Sequence, residues 1–212
     1  MSDMKNALNA LQRLREGNQR FASNLRALEP LFSHTKRAEL VSGQEPFAII
    51  LGCSDSRVPA EIVFDQGLGD LFVIRVAGNI VAPSQIGSVE FAVSRYGTRL
   101  VVVLGHSQCN AILATIDVLI RGDNNSSKNI KSIVDRVKPS VESLIDTELR
   151  NNPERLLKES VRANVRTSAN HLRHGSDIIE TLIETDGLLV VGAEYSLETG
   201  IVDFFDGVPH SD

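Results

Sequence analysis

The sequence predicts an α/β fold, a mostly parallel central sheet flanked by helices. Three observations predict it. Four short apolar runs, Phe47 to Leu51, Leu71 to Val76, Leu100 to Leu104 and Leu188 to Val191, are rich in β-branched residues and do not alternate with polar ones. Such runs suit parallel strands covered on both faces. Segments of helical periodicity fill most of the gaps between them, and strand–helix alternation is the signature of this class.

The elements follow in order. Residues 3–24 read as a helix, with Leu8, Leu11, Leu14 and Phe21 near helical spacing and Gly17 as an interior blemish. Pro30 ends this region, and a short helix is expected over Thr35 to Ser42, closed by Gly43. Helices are expected at Pro83 to Tyr96, Asn110 to Arg121, Asn129 to Asn151, Pro153 to His174 and Ser176 to Thr185, with a polar loop, GDNNSSKN, from Gly122. A last strand, Ile201 to Phe205, is expected to pair with Leu188 to Val191 across the turn near LETG. The whole chain, 1–212, reads as one domain with a helical N-terminal extension over about 1–43. An apolar helical stripe ahead of the first strand packs either on its own sheet or on a partner.

Composition excludes several function classes. With 42% apolar and 23% charged residues, a sizeable core is expected. The formal net charge of -5 argues against binding a phosphate backbone, so no nucleic-acid partner is expected. No apolar run is long enough to span a bilayer, and the start has no secretory signature. Two cysteines in 212 residues make no disulfide framework, so a reducing, cytoplasmic setting is expected.

Both cysteines follow strands. GCSDSR (residues 52–57) comes directly after the first apolar run, and GHSQC (105–109) directly after the third. Parallel strands end on one side of a sheet, where ligand sites gather. Cys53, Asp55, His106 and Cys109 therefore converge if the two strands are neighbours. His and Cys at i and i+3 across a strand-to-helix turn is a usual short zinc spacing. Two thiolates, an imidazole and a carboxylate suit zinc, whereas magnesium and calcium want oxygen ligands. Either motif alone reads as well as a buried cysteine packed as a small hydrophobe. It is the coincidence of the two that favours a metal, and without a C-x-x-C pattern a redox pair is the weaker alternative.

These motifs resemble the β-class carbonic anhydrases. The resemblance spans nearly the whole chain: LREGNQRF, GCSDSRVP, LFVIRVAGN, SVEFAV, GHSQC and GAEYSLETG. It implies a homodimer or homotetramer whose N-terminal helices extend onto a partner subunit. It also implies one Zn2+ per subunit on Cys53, His106 and Cys109, and reversible hydration of carbon dioxide to bicarbonate. Zinc acidifies a bound water toward a pKa of about 7, which supplies hydroxide near neutral pH. By the same resemblance Asp55 either binds zinc and closes the site or pairs with Arg57 and leaves it open. Arg57 suits the second role, being always charged and able to grip a carboxylate with two bonds.

For the substrate pocket the resemblance implies Gln44, a donor to bicarbonate, and Phe72, with Phe91 and Ala77 beside them. Relatives with a non-catalytic bicarbonate site carry Trp where this chain has Ile50. The chain has no Trp, and Arg75 and Tyr195 match only part of that site. The open, plant-like subgroup is therefore expected. One departure is Asn110, which follows Cys109 where relatives usually have Gly. Its side chain can narrow the pocket, bond bicarbonate, or cap the helix. His34, His171, His174 and His210 read as solvated, any of them free to shuttle protons. Two other functions stay open: a same-fold hydrolase of carbon disulfide or carbonyl sulfide, and a non-catalytic zinc protein that binds bicarbonate.

Overall fold

The computed structural model describes residues 2–25, 34–122 and 127–209. In chain order the elements are α1 (Ser2–Ala22), α2 (His34–Glu39) with a 3-10 turn over Leu40–Ser42, β1 (Ala48–Gly52), α3 (Ala60–Val63), β2 (Leu71–Arg75), α4 (Pro83–Tyr96) and β3 (Leu100–His106). Then come α5 (Asn110–Arg121), α6 (Lys128–Ile145), a 3-10 turn over Glu148–Asn151, α7 (Pro153–His174), α8 (Asp177–Thr185), β4 (Leu189–Tyr195) and β5 (Val202–Asp206). The sheet order is β2-β1-β3-β4-β5, with β5 antiparallel to β4 and every other pairing parallel.

The apolar runs are strands because both faces of the sheet are covered. Ile50 and Val102 face a core that includes Leu11 and Leu14 of α1 and Phe64. Ile49, Leu51, Val101 and Val103 face the opposite core, with Val89 and Val93 of α4, Val165 and Leu172 of α7 and Ile179 of α8. A third cluster, with Ile112, Val137, Val141, Leu156 and Val161, joins α5, α6 and α7 around Cys53 and Cys109. Parallel strands 1 and 3 thus deliver their carboxyl ends to one apolar floor.

Several expectations need correction. The Asn129 to Asn151 segment is not one helix. It breaks after Ile145, and the Thr147 side chain accepts from the Leu149 N–H to start a separate 3-10 turn. β4 runs on to Tyr195, beyond the expected end at Val191, with Gly192 lying under Val165 of α7. In consequence β5 pairs with Gly192 to Tyr195, not with Leu188 to Val191. The short α3 went unread. Pro30, His210 and most of the loop after Gly122 lie outside the described residues.

The first helix also differs from its reading. Its buried face is Ala7, Ala10, Leu11, Leu14 and Asn18, while Leu8 is 40% exposed. That face is covered by its own chain. Asn18 seals the contact, donating to the carbonyls of Val63 (3.1 Å) and Gly200 (2.9 Å) and accepting from the Val202 N–H (2.8 Å). The segment after it, α2 and its 3-10 turn, contributes no buried residue. Nor is Gly17 a blemish, since a Cβ there would stand 1.8 Å from the Phe64 carbonyl oxygen. Gly17→Ala is therefore expected to cost roughly 1–3 kcal/mol, the usual range for overpacking. Urea denaturation checks this, and an unchanged midpoint would show that the helix shifts freely.

Candidate metal centre

Cys53 directly follows β1 and His106 ends β3. These strands are adjacent and parallel, with Gly52 beside Leu104. A turn carries the chain from His106 to Cys109, which occupies the N-cap position of α5. Gln108 makes the turn in the left-handed region at φ 55. The ligand atoms of Cys53, His106 and Cys109 all lie within 4.8 Å of one another. The three residues are 5%, 0% and 1% exposed.

The donor set fits zinc. His106 Nδ1 lies 2.8 Å from the Ser107 carbonyl oxygen, which can only accept, so Nδ1 carries the proton. That leaves Nε2 with a lone pair, and Nε2 is buried with no hydrogen-bond partner among the described residues. An unpartnered acceptor beside two sulfurs is costly to bury and is what a soft-to-borderline cation would satisfy. One of the two sulfurs is already biased toward charge. A hydrogen bond from Cys109 holds the Cys53 thiol down at about 4 against the effect of burial. The same contact, with burial, pushes Cys109 up. Burial pulls the His106 imidazole down, but the neighbouring Cys53 sulfur outweighs it and the net shift is upward.

Asp55 is turned to Arg57. Arg57 Nε donates to Oδ1 (2.9 Å), Nη2 to Oδ2 (2.7 Å), and the Arg57 backbone N–H to Oδ1 (2.9 Å). These bonds hold the carboxyl well below its ordinary range. Asp55 Oδ2 is still only 3.9 Å from His106 Nε2, so a modest side-chain rotation would bring it onto the cluster.

Other residues support this turn. Arg75 Nε donates to the Cys53 carbonyl (2.9 Å) and Nη2 to that of Asp55, which fixes the loop's backbone. The Gly78 N–H donates to Cys53 Sγ (3.4 Å), and the buried Asn164 of α7 donates to the Gly78 carbonyl (2.8 Å). Ser107 is pinned to the end of β4, its N–H bonding the Tyr195 carbonyl (2.9 Å) and its hydroxyl donating to Glu198 (2.8 Å). Sequence reading missed Asn164 and Glu198. For Asn164 a signal exists: it interrupts the apolar stripe Leu157, Val161, Val165 and Leu172 on a helix that must be buried there.

The expected pocket residues fall into two groups. Ala77 precedes Gly78, and Asn110 is the first residue of α5, so both stand at the metal-ligand end of the sheet. Asn110 is exposed; the N-cap position belongs to Cys109, without a side-chain cap bond, so the capping role for Asn110 is not what the structure has. Gln44, Phe72 and Phe91 form another cluster. Phe72, Phe91 and Tyr96 have ring centroids 5.9–6.2 Å apart, and Gln44 Nε2 donates to the Tyr96 hydroxyl (3.0 Å). Phe72 pairs with Ile49, four residues before Cys53, a distance of roughly 13 Å along the strands. Gln44 lies beyond the start of β1, and Phe91 is 54% exposed. Within one chain this cluster does not line the Cys53 site.

A family model described as carbonic anhydrase matches residues 48–202. The chain belongs to the β-carbonic anhydrase family. Among carbonic anhydrases it is 38% identical over 195 residues to carbonic anhydrase 2 of Mycobacterium tuberculosis (strain CDC 1551 / Oshkosh), covering 92% of this chain and 91% of that one. It is 44% identical over 136 residues to the carbonic anhydrase of Mycolicibacterium smegmatis, covering 64% and 65%. In fold it is similar to the β-carbonic anhydrase CcaA, with a TM-score of 0.71, 25% identity and coverage of 100% and 94%. It is also similar to the β-carbonic anhydrase CafA of Aspergillus fumigatus, with a TM-score of 0.73, 24% identity and 84% of each chain covered. The fold class expected from the sequence is thus that of this family. No helix among the described residues is long and apolar enough to cross a membrane.

Proposed function

We propose that this chain catalyses the reversible hydration of carbon dioxide to bicarbonate and a proton, with one zinc ion per subunit on Cys53, His106 and Cys109. The observation that carries this reading is the buried cluster of two sulfurs and an unpartnered imidazole nitrogen, with its nearest carboxylate turned aside to Arg57. Zinc, when bound, supplies a water acidified from about 15.7 toward 7 as the nucleophile. The chain's residues do the rest. Ser107 orients the imidazole through Nδ1, and Gly78 orients the Cys53 sulfur. Arg57 holds Asp55 off the cluster, which is the open arrangement of the plant-like subgroup. Arg75 is already committed to two loop carbonyls, which speaks against its use in a separate bicarbonate site. Zinc analysis with a stopped-flow carbon dioxide assay, on the wild type beside Cys53→Ser, tests the assignment. A wild type without zinc or turnover would sink it.

Two thiolates cancel the formal charge of the metal, so this centre should acidify water less than three neutral imidazoles would. The expected rate therefore rises with pH, because the deprotonated form is the reactive one. A flat kcat profile between about pH 6.5 and 9 would count against this argument.

Gln44, Phe72 and Phe91 are proposed as substrate-binding residues, with Ala77 and Asn110 on the metal side. Because the first three cluster at the amino-terminal end of the strands, away from Cys53, they can serve only a neighbouring copy's site. This supports a homodimer, or a homotetramer built of such dimers. It also gives the otherwise unburied α2 segment a partner surface. The exposed Phe91 and the aromatic cluster behind it fit a weakly polar substrate. A complementation experiment decides the matter. Cys53→Ser and Gln44→Ala subunits, each nearly inactive alone, should regain activity when refolded together, since a mixed dimer holds one intact site. Mixtures as inactive as their components would place Gln44 outside the partner's site.

A further inference from the structure

None of the residues of helix α7 belongs to the candidate metal-ligand set. Its buried face is apolar at Leu157, Val161, Val165 and Leu172, yet Asn164, 1% exposed, sits in the middle of it. A primary amide buried there costs free energy unless its bonds are made. Asn164 Nδ2 makes one, donating at 2.8 Å to the carbonyl of Gly78, 86 positions away. Gly78 is itself unusual. It has a positive φ of 70, and its N–H points at Cys53 Sγ (3.4 Å). A Cβ on Gly78 would stand 3.2 Å from the Ala111 Cβ and 3.4 Å from Val137 Cγ2, so α5 and α6 confine the same residue from the other side.

We propose that Asn164 is a positioning residue for the metal centre: through Gly78 it aims a backbone N–H at the Cys53 sulfur and thereby sets how much charge that thiolate gives the metal. The physical argument is direct. Hydrogen bonds to a ligating sulfur draw density away from the metal and orient the ligand. The N–H and the carbonyl of Gly78 lie on two peptide planes joined at its Cα, and a glycine turns easily there, so a hold on the carbonyl restrains the direction of the N–H. Among the described residues its side-chain holder is Asn164, locked in place by the close fit of the next residue, while the Asn79 N–H of the same peptide plane donates to the Val76 carbonyl (3.0 Å). Val165 packs so closely over the sheet that a Cβ on Gly105 would stand 2.5 Å from its Cγ2, and one on Gly192 2.8 Å from its Cγ1. Helix α7 thus sets the sulfur's environment as well as covering the sheet.

The inference rests on Cys53 being a zinc ligand, and its test separates the two readings. Cobalt is loaded in place of zinc, and the thiolate-to-cobalt charge-transfer band is recorded for the wild type, Asn164→Leu, Asn164→Ser and Leu172→Ala. The serine variant, too short to reach Gly78, leaves the helix less crowded where the leucine variant fails to fold. Leu172→Ala is a control that loosens α7 away from the site. Loss of the Gly78 bond should leave the sulfur richer in electrons. The Asn164 variants should therefore shift the band to lower energy, and, because the ligand is no longer held in orientation, lose zinc to a chelator about tenfold faster or more, in line with other outer-shell changes. Leu172→Ala should do neither. An unmoved band in the folded Asn164 variants, or an equal shift in Leu172→Ala, would overturn the inference while leaving the zinc assignment intact. A wild type lacking the band altogether would overturn the zinc assignment, and this inference with it.

Discussion

Cys53→Ser is expected to abolish turnover and to weaken zinc retention by more than the 10- to 100-fold typical of outer-shell changes. The reason lies in what the three donors do together. Cys53 and Cys109 supply two soft donors, and His106 Nε2 supplies a lone pair with no hydrogen-bond partner among the described residues. A serine hydroxyl is a hard, neutral ligand at this pH, so the site loses both charge and match to the metal. The variant should fold, since Cys53 and Ser differ little in size. The measurement is zinc content after dialysis, beside the carbon dioxide assay. Full zinc occupancy with full activity would mean that the metal lies elsewhere.

The second large effect is expected from Arg57. With Arg57→Ala the two bonds from its guanidinium to Asp55 disappear, and a carboxylate whose Oδ2 is 3.9 Å from His106 Nε2 is freed toward the cluster. A site with four protein ligands is closed. We expect kcat/KM to fall by about 10- to 100-fold, and Arg57→Lys, which keeps the charge but not the two-bond grip, to lie between. The double variant Asp55→Ala/Arg57→Ala has no carboxylate to block the site and should recover part of the loss. If the double variant is no better than Arg57→Ala alone, the guanidinium acts in some way other than by restraining Asp55. The pH sense follows from the same clamp. Arg57 depresses the Asp55 carboxyl, so the pairing is complete above the ordinary carboxylate pKa of about 3.9. It is lost only as pH falls through the still lower folded value. Acidification from pH 9 to about 6.5 should leave it shut, so the rate change expected there belongs to the nucleophile and not to Asp55.

The cluster of Cys53, His106 and Cys109 was legible because local chemistry and topology coincide in it. A cysteine at the end of an apolar run is common, but two, each next to other donor types and each after a strand, have few other uses. The outer contacts were less legible. Glu198 bonds Ser107 from the far end of β4, a pairing between residues 91 apart that no local pattern announces. Asn164 left a trace as the polar residue on a buried stripe, but its partner is a carbonyl that every residue possesses. The pocket residues show the opposite case. Gln44, Phe72 and Phe91 were picked out together, and they do cluster, but at the amino-terminal end of the strands.

By itself, then, the sequence determined the class of fold, the parallel strands and the meeting of Cys53, His106 and Cys109. These follow from hydrophobic pattern and side-chain chemistry, which are local properties. The tertiary structure decided which face of α1 is buried, where β4 ends, which partner Asp55 takes, and what stands behind the Cys53 sulfur. Each of those is a competition between alternatives close in energy, such as Asp55 to Arg57 or to the cluster. Only the distances and directions set by packing elements remote in sequence choose between them.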